Sequence, residues 1–247
     1  MSKILRTLAT LAVVGWCVTL PAAAQNPVVV ELFTSEGCSS CPPADAILVD
    51  LSRASAQRGQ NLILLGEHVD YWNYIGWTDR FSSAQFSQRQ NDYARTLHLE
   101  SVYTPQMVID GRVQFVGNDA SEVHRKIDEA AKEPMPAQVL LQWENPGRLH
   151  VTVQSHAASQ AKVLLGITED GLSTTVGGGE NGGKTLHHAA VVRQLRELAS
   201  AGKASFDTNV DIPIRPDWNA AQLKVVVLVQ DSANGRILGA AQIPYRQ

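Results

Sequence analysis

Apolar and polar positions change rhythm about half-way along the chain. From Pro27 to about Glu133, short apolar runs alternate with stretches at helical spacing. Val28 to Phe33 is β-branched and apolar and predicts a strand, and Asn61 to Leu65 predicts a second. Between them, Ile47, Leu48 and Leu51 mark one face of a helix over 44–56, with Gly59 beyond it. Ser82-Ser83-Ala84-Gln85 resembles a capping box, and Phe86, Gln90, Tyr93 and Leu97 continue one helical face. Asp110-Gly111 separates the runs 106–109 and 112–116, a two-residue hairpin signal. Asp119 to Glu122 opens a helix carrying Val123, Ile127 and Ala130. The predicted order is β-α-β-α-β-β-α. A helical crossover makes the first two strands parallel, and the hairpin makes the last two antiparallel.

Lys132-Glu133-Pro134-Met135-Pro136 reads as a linker. Short strands follow, at 138–143, 148–155, 162–168, 206–212, 222–230 and 236–243. Asn145-Pro146-Gly147 and Asn234-Gly235 punctuate them, the pattern of a small antiparallel sandwich. Residues 184–199 suit a helix by composition, yet Leu186, His188, Ala190 and Val192 also alternate as on a strand. The expected fold class is an α/β N-terminal domain over 27–133 followed by a mainly-β, sandwich-like C-terminal domain over 137–247.

Of the 247 residues, 44% are hydrophobic and 18% charged, enough for substantial cores. The formal charge of −3 leaves no basic surplus for phosphates, so nucleic acid is not an expected partner. Residues 1–24 place Lys3 and Arg6 before an apolar run from Leu8 to Leu20 and then Pro21-Ala22-Ala23-Ala24. That order predicts a secretory signal peptide cleaved after Ala24, a periplasmic or secreted mature chain, and no membrane span after cleavage. Losing Lys3 and Arg6 takes the charge from −3 to −5.

Cleavage also removes Cys17 and leaves Cys38 and Cys41, spaced C-x-x-C. A bridge closing so short a loop adds little stability, so the pair is expected to serve chemistry. Strand 28–33 leads into the pair and a helix follows it. A helix N-terminus offers free N–H groups and positive dipole charge to a thiolate. With Cys41 as the cap, Pro42 and Pro43 fall where no helical hydrogen bond is lost, and Cys38 is expected to stand exposed on the preceding turn. Tyr103-Thr104-Pro105 precedes the hairpin. A cis Pro105 facing the cysteines would leave Thr104 free to pair with an extended substrate.

Residues 27–133 resemble the thioredoxin fold in element order. More closely, Val30-Glu31-Leu32-Phe33-Thr34-Ser35 leading into Cys38-Ser39-Ser40-Cys41-Pro42-Pro43-Ala44-Asp45 is similar to an uncharacterised family of secreted bacterial thioredoxin-like proteins. His68-Val69-Asp70-Tyr71-Trp72, Tyr103-Thr104-Pro105-Gln106, Gly179 to Gly183, His188 and Val191-Val192-Arg193 extend the likeness. The resemblance implies a thioredoxin-like, C-x-x-C type N-terminal domain. Thioredoxin keeps a buried acid six residues before its first cysteine. Leu32 holds that position here; the neighbouring Glu31, an acid in an apolar run, reads either as a proton-relay group or as a capped or solvent-facing acid.

The function these readings support is an exported thiol–disulfide oxidoreductase. Cys38 attacks, Cys41 resolves, and Thr104 and Pro105 align a protein or peptide substrate. No cofactor is expected beyond the redox-active Cys38–Cys41 disulfide, and no resident metal, but a redox partner must reset the pair. His68, Trp72 and Tyr103 are the substrate-groove candidates, beside the reading in which His68 is a hydrogen-bonded framework histidine and the tryptophans are core. Two alternatives stand beside it: soft-metal (copper) binding or delivery through the cysteines and His68, and a non-catalytic envelope interaction module. Gly177 to Gly182 matches G-x-G-x-x-G, but its β-rich context reads as a loop rather than a dinucleotide site.

Overall fold

A computed structural model describes residues 26–58, 61–155, 160–201 and 205–246. The signal-peptide reading of residues 1–24, with Cys17, lies outside the described residues. The first half forms β1 (Val28–Thr34), α1 (Pro42–Arg58), β2 (Leu62–His68), α2 (Ala84–Thr96), β3 (Gln106–Ile109), β4 (Val113–Val116) and α3 (Ala120–Ala130). Local chemistry sets the helix starts. The Ser83 side chain accepts from the Gln85 N–H, and the Asp119 carboxylate accepts from Ser121 and Glu122. α1 opens at Pro42-Pro43, with the Cys41 carbonyl receiving the N–H of Ala44 and Asp45.

The second half forms β5 (Ala137–Asn145), β6 (Arg148–Ser155), β7 (Ala161–Glu169), β8 (Leu172–Thr175), β9 (Thr185–His188), β10 (Val191–Ala201), β11 (Ser205–Asp211), β12 (Leu223–Asp231) and β13 (Ile237–Pro244). The ambiguous stretch at 184–199 is therefore strand, split between β9 and β10. One eight-stranded sheet runs β13-β12-β7-β10-β2-β1-β3-β4. β1 and β2 are parallel, from Val28 opposite Leu62 to Thr34 opposite His68. β10 joins the outer side of β2 with Val191 opposite Gly66, whose N–H donates to Ala190 O at 2.8 Å. A Cβ at Gly66 would lie 3.1 Å from the Ala189 carbonyl, so the close approach favours glycine.

This sheet corrects the expected fold class. The chain is mostly β, with three α-helices among the described residues. It is not an α/β thioredoxin-like N-terminal domain followed by a separate sandwich. The C-terminal strands do pack in two layers: β11-β6-β5 contributes Leu149, Val151 and Val153, which bury against Val163, Leu165, Val225 and Val227. Yet β7 and β12, on the far side of that core, belong to the same sheet as β1 and β2. β7 and β12 each have a paired strand on both sides, and β2 lies between β1 and β10, meeting β10 at Gly66.

The two faces of β1 fix where chemistry can sit. Val28, Val30 and Leu32 pack with Ala44 and Leu48 of α1, whereas Val29 and Phe33 join the clusters holding Phe86 and Tyr93 of α2. Thr34 follows the α1 side and Glu31 the α2 side. A second long-range contact joins turn to turn: Val29 N donates to Asp110 Oδ1 at 2.8 Å, and Ile237 N to Asp110 O at 2.9 Å.

Candidate active site

Cys38 and Cys41 form a disulfide between the end of β1 and the start of α1, with Cα atoms 5.4 Å apart. Cys41 N donates to Cys38 O at 3.2 Å, closing the turn, and Cys38 N donates to Ser35 O at 3.1 Å. Both cysteines are 0% exposed, while Ser39 and Ser40 between them are exposed. The expectation of an exposed Cys38 is thus corrected. Its physical reason is convergence: three segments far away in sequence close around the turn.

The first is the β3 approach. Thr104–Pro105 is a cis peptide, and the Thr104 hydroxyl donates to Cys38 Sγ at 3.3 Å. Trp72 Nε1 donates to that same hydroxyl oxygen at 2.8 Å. An indole N–H is donor only, so it occupies a lone pair of Thr104 and leaves the hydroxyl proton for sulfur. Ser40 Oγ lies 3.3 Å from Cys38 Sγ and 3.4 Å from Thr104 O. Tyr103 is half-buried, its carbonyl accepting from Gln90 Nε2 at 2.7 Å and its hydroxyl bonded to Gln114. Trp72, Thr104, Pro105 and Cys38 are thus brought together, with Tyr103 one residue away.

The second segment is the β8–β9 connection. Asn181 is fully buried, and its Nδ2 donates to Glu36 O and to Cys38 O, both at 2.9 Å. Glu180 Oε2 accepts from Ser39 N at 3.0 Å. The glycine run around them therefore serves packing. Gly179 adopts φ +67°, and a Cβ on Gly178 would stand 2.5 Å from the Gly76 carbonyl.

The third is a buried layer of ionisable groups beneath the turn. His68 Nδ1 and Asp79 Oδ2 lie 2.7 Å apart, both almost wholly buried, and the same Asp79 oxygen accepts from Glu36 N at 2.9 Å. Burial opposes a charge on His68, but the Asp79 charge and hydrogen bond outweigh it and raise its pKa. Asp79, against its own burial, is lowered by His68. His68 is therefore a framework partner of Asp79 and does not point its bonded nitrogen at sulfur. Burial would likewise raise Glu36. The His188 Nε2 contact at 3.3 Å and the Trp77 Nε1 hydrogen bond at 2.8 Å hold it below its ordinary value instead.

Glu31 does not reach the cysteines. It lies on the α2 face, where it accepts from Tyr93 OH at 2.5 Å and pairs with Arg89 at 2.6 Å. Arg89 also meets Glu67 at 3.2 Å. The relay role expected of Glu31 is corrected by strand alternation: the one-residue offset puts it behind the sheet. The buried acid on the cysteine face is Asp45. Its Oδ1 accepts from Thr34 Oγ at 2.9 Å, its Oδ2 has no hydrogen-bond partner, and burial raises its pKa despite the nearby His188 and His68. Asp45 and Pro42 also line a cavity of about 320 Å³ between α1 and β9. Asp45, Glu36, Glu180, Asn181 and His188 were not singled out from the sequence as catalytic residues. Asp45, one turn of helix beyond Cys41, carried the only usable signal: an acid in an otherwise apolar first turn.

Among the described residues, no group of three or more His, Cys, Asp or Glu is arranged to hold a metal ion, and no helix is long and apolar enough to cross a membrane. Fold and site together define a mostly β protein with a sealed C-x-x-C disulfide at a strand-to-helix junction. The chain belongs to the family described as "Protein of unknown function (DUF1223)", whose model matches residues 29–230. A crystal structure of a protein from Agrobacterium tumefaciens is similar at 26% identity and a TM-score of 0.70, covering 90% of this chain and 96% of that one. A domain of the outer membrane lipoprotein Omp28 from Porphyromonas gingivalis matches at 11% identity and a TM-score of 0.28, over 44% of this chain and 86% of that one. No curated protein matches the chain.

Proposed function

We propose that this protein is an exported thiol–disulfide oxidoreductase acting on protein or peptide substrates in a periplasmic or extracellular setting. At the site, it would use the chemistry of the C-x-x-C members of the thioredoxin-like superfamily that its motifs resemble. The observation that carries the reading is the Thr104 hydroxyl donated to Cys38 Sγ at 3.3 Å. A donor aimed at one sulfur of a disulfide at a helix N-terminus stabilises that sulfur as a thiolate, the form that attacks and leaves.

In the reduced protein, the Cys38 thiolate attacks one sulfur of a substrate disulfide. A Cys38–substrate bond forms, and the other substrate sulfur departs as thiolate. Cys41 then gives up its proton, for which Asp45 is the buried acceptor on that face, and attacks the Cys38 sulfur. The Cys38–Cys41 bond forms and the second substrate thiolate leaves, so two electrons pass from the pair to the substrate. A dithiol partner returns the pair to the reduced state by the same exchange. Since Cys38 is covered in the disulfide form, entry requires Trp72 and Thr104 to yield at the exposed Ser39–Ser40 edge.

Trapping tests the proposal. A Cys41→Ser variant is expected to accumulate mixed disulfides that Cys38→Ser abolishes. No captured species, or a Cys38 in the folded, reduced protein that never reacts with iodoacetamide, overturns it.

A further inference from the structure

The hydrogen bonds of the cysteine turn leave one donor spent in an unexpected way. A thiolate at position 38 draws on the backbone N–H groups that follow it. Of these, Cys41 N is bound to Cys38 O, and Ser39 N is bound to the Glu180 carboxylate at 3.0 Å. Both Asn181 bonds, meanwhile, go to carbonyls of the turn, at Glu36 and Cys38. Lys184 Nζ donates to Asn181 Oδ1 at 2.9 Å and fixes which way that amide faces.

We propose that Glu180 and Asn181 are positioning residues for the thiol at position 38. Asn181 pins the backbone of the turn. Glu180 places a negative charge beside it and takes up the Ser39 N–H, so that Cys38 is less acidic and the disulfide harder to reduce than the helix terminus alone would make them. The chemistry follows from competition. An anion already bound to Ser39 N–H repels a second anion forming on the adjacent residue. The stabilisation left to the thiolate comes from the hydroxyl of Thr104, and from Ser40 only when its one proton turns from the Thr104 carbonyl to sulfur.

Three features support the assignment. The connection is built for contact, since Gly178 and Gly179 pack against the 75–77 segment at distances that exclude larger residues. Asn181 is 0% exposed, an expensive place for an amide unless its bonds are needed. Glu180 is held below the usual carboxylate range by its bonds to Ser39, so it is charged at neutral pH. The other titratable groups around the turn are Glu36 on the turn, Asp45 on α1, His68 at the end of β2, Asp79 in the loop before α2, Lys184 on the β8–β9 connection and His188 on β9. A change at Glu180 leaves all of them in place.

The inference rests on the exchange reading for its biological meaning, but its test does not. Glu180→Gln removes the charge and keeps an oxygen to accept from Ser39 N–H. In the reduced full-length protein, the pH midpoint for alkylation of Cys38 is expected to fall by about half a unit. That corresponds to about threefold more thiolate below the midpoint. The equilibrium with glutathione should move toward the dithiol by a similar factor, and both shifts should shrink in 1 M salt. Asn181→Ala should speed alkylation with the midpoint little changed. An unmoved midpoint and unmoved equilibrium in Glu180→Gln, with or without a lower melting temperature, overturn the proposal. Failure of Cys41→Ser to trap a substrate would sink the oxidoreductase reading while leaving these thiol measurements intact.

Discussion

Thr104 and Cys38, 66 positions apart, meet through a hydroxyl and a sulfur 3.3 Å from each other. Trp72 determines the direction of that bond by donating to the Thr104 oxygen from the other side.

Replacing Thr104 by Val keeps the shape and deletes the donor. The Cys38 thiol in the reduced protein is expected to titrate about one pH unit higher, since a hydrogen bond to a charged group is worth roughly 1.5 kcal/mol at the low end. Trp72→Phe should move it in the same direction by less, because the hydroxyl remains but is free to turn. The pH dependence of iodoacetamide reaction measures both. A Thr104→Val midpoint equal to that of the unchanged protein would remove the hydroxyl from the mechanism.

Asp45 supplies a second check. Asp45→Asn preserves an acceptor for the Thr34 hydroxyl but no longer takes a proton. Resolution of a preformed Cys38 mixed disulfide by Cys41 should slow by about 100-fold at pH 7, the lower range for general-base assistance. The deficit should narrow at high pH, where hydroxide substitutes for the carboxylate. A Glu31→Gln variant should leave this step unaffected, because Glu31 lies behind the sheet.

The pair His68–Asp79 gives stability a particular pH window. His68 is raised above its ordinary 6.5, so its contribution is full below pH 6.5 and is lost as pH rises through the folded value. Asp79 is lowered from 3.8, so its contribution is present above pH 3.8 and is lost as pH falls through its folded value. His68→Gln should therefore destabilise most between those limits, by roughly 3 kcal/mol for a broken buried pair. Melting curves from pH 3 to 9 read the difference; a penalty that does not change with pH would mean His68 acts by packing alone.

Asp110 behaves in the opposite sense to Asp79. Burial raises its carboxyl from 3.8 to about 6, against the Val29 hydrogen bond that lowers it. The folded protein holds that proton longer than the unfolded chain, so stability declines between pH 3.8 and about 6. Asp110→Asn keeps an acceptor for Val29 N–H and should stabilise at pH 7 by about 1–2 kcal/mol, with no gain at pH 3. Urea midpoints at the two pH values test it.

Local signals carried most of the elements. Asp119 stands as the helix cap its sequence announces, Ser83 caps α2 one residue after the Ser82 of the S-x-x-Q pattern, and Asp110-Gly111 turns the hairpin, because a cap or a tight turn depends on a few neighbouring atoms. The way β10 meets β2 was not legible. A strand buried in a continuous sheet and one buried in a sandwich have the same run of Val and Leu, so Val225 to Val229 point to neither neighbour. At 185–188, the alternation of exposed and buried residues was present, but helix-forming composition obscured it. At the site, the cysteines and Thr104-Pro105 were legible because their types are chemically distinctive. Asn181 was not: glycines on both sides carry no periodicity, and its partners lie more than 140 residues away.

That separation has a temporal side. Asn181 follows Cys38 by 143 positions, so in a chain that emerges from its N-terminal end the sulfurs come out well before the amide. Throughout that interval the newborn sulfurs lack the amide that later pins their turn, and β2 lacks the strand that will border it. Any thiol nearby can then compete for them, so the finishing of the polypeptide, rather than the closing of the bridge, ends the protein's most vulnerable period.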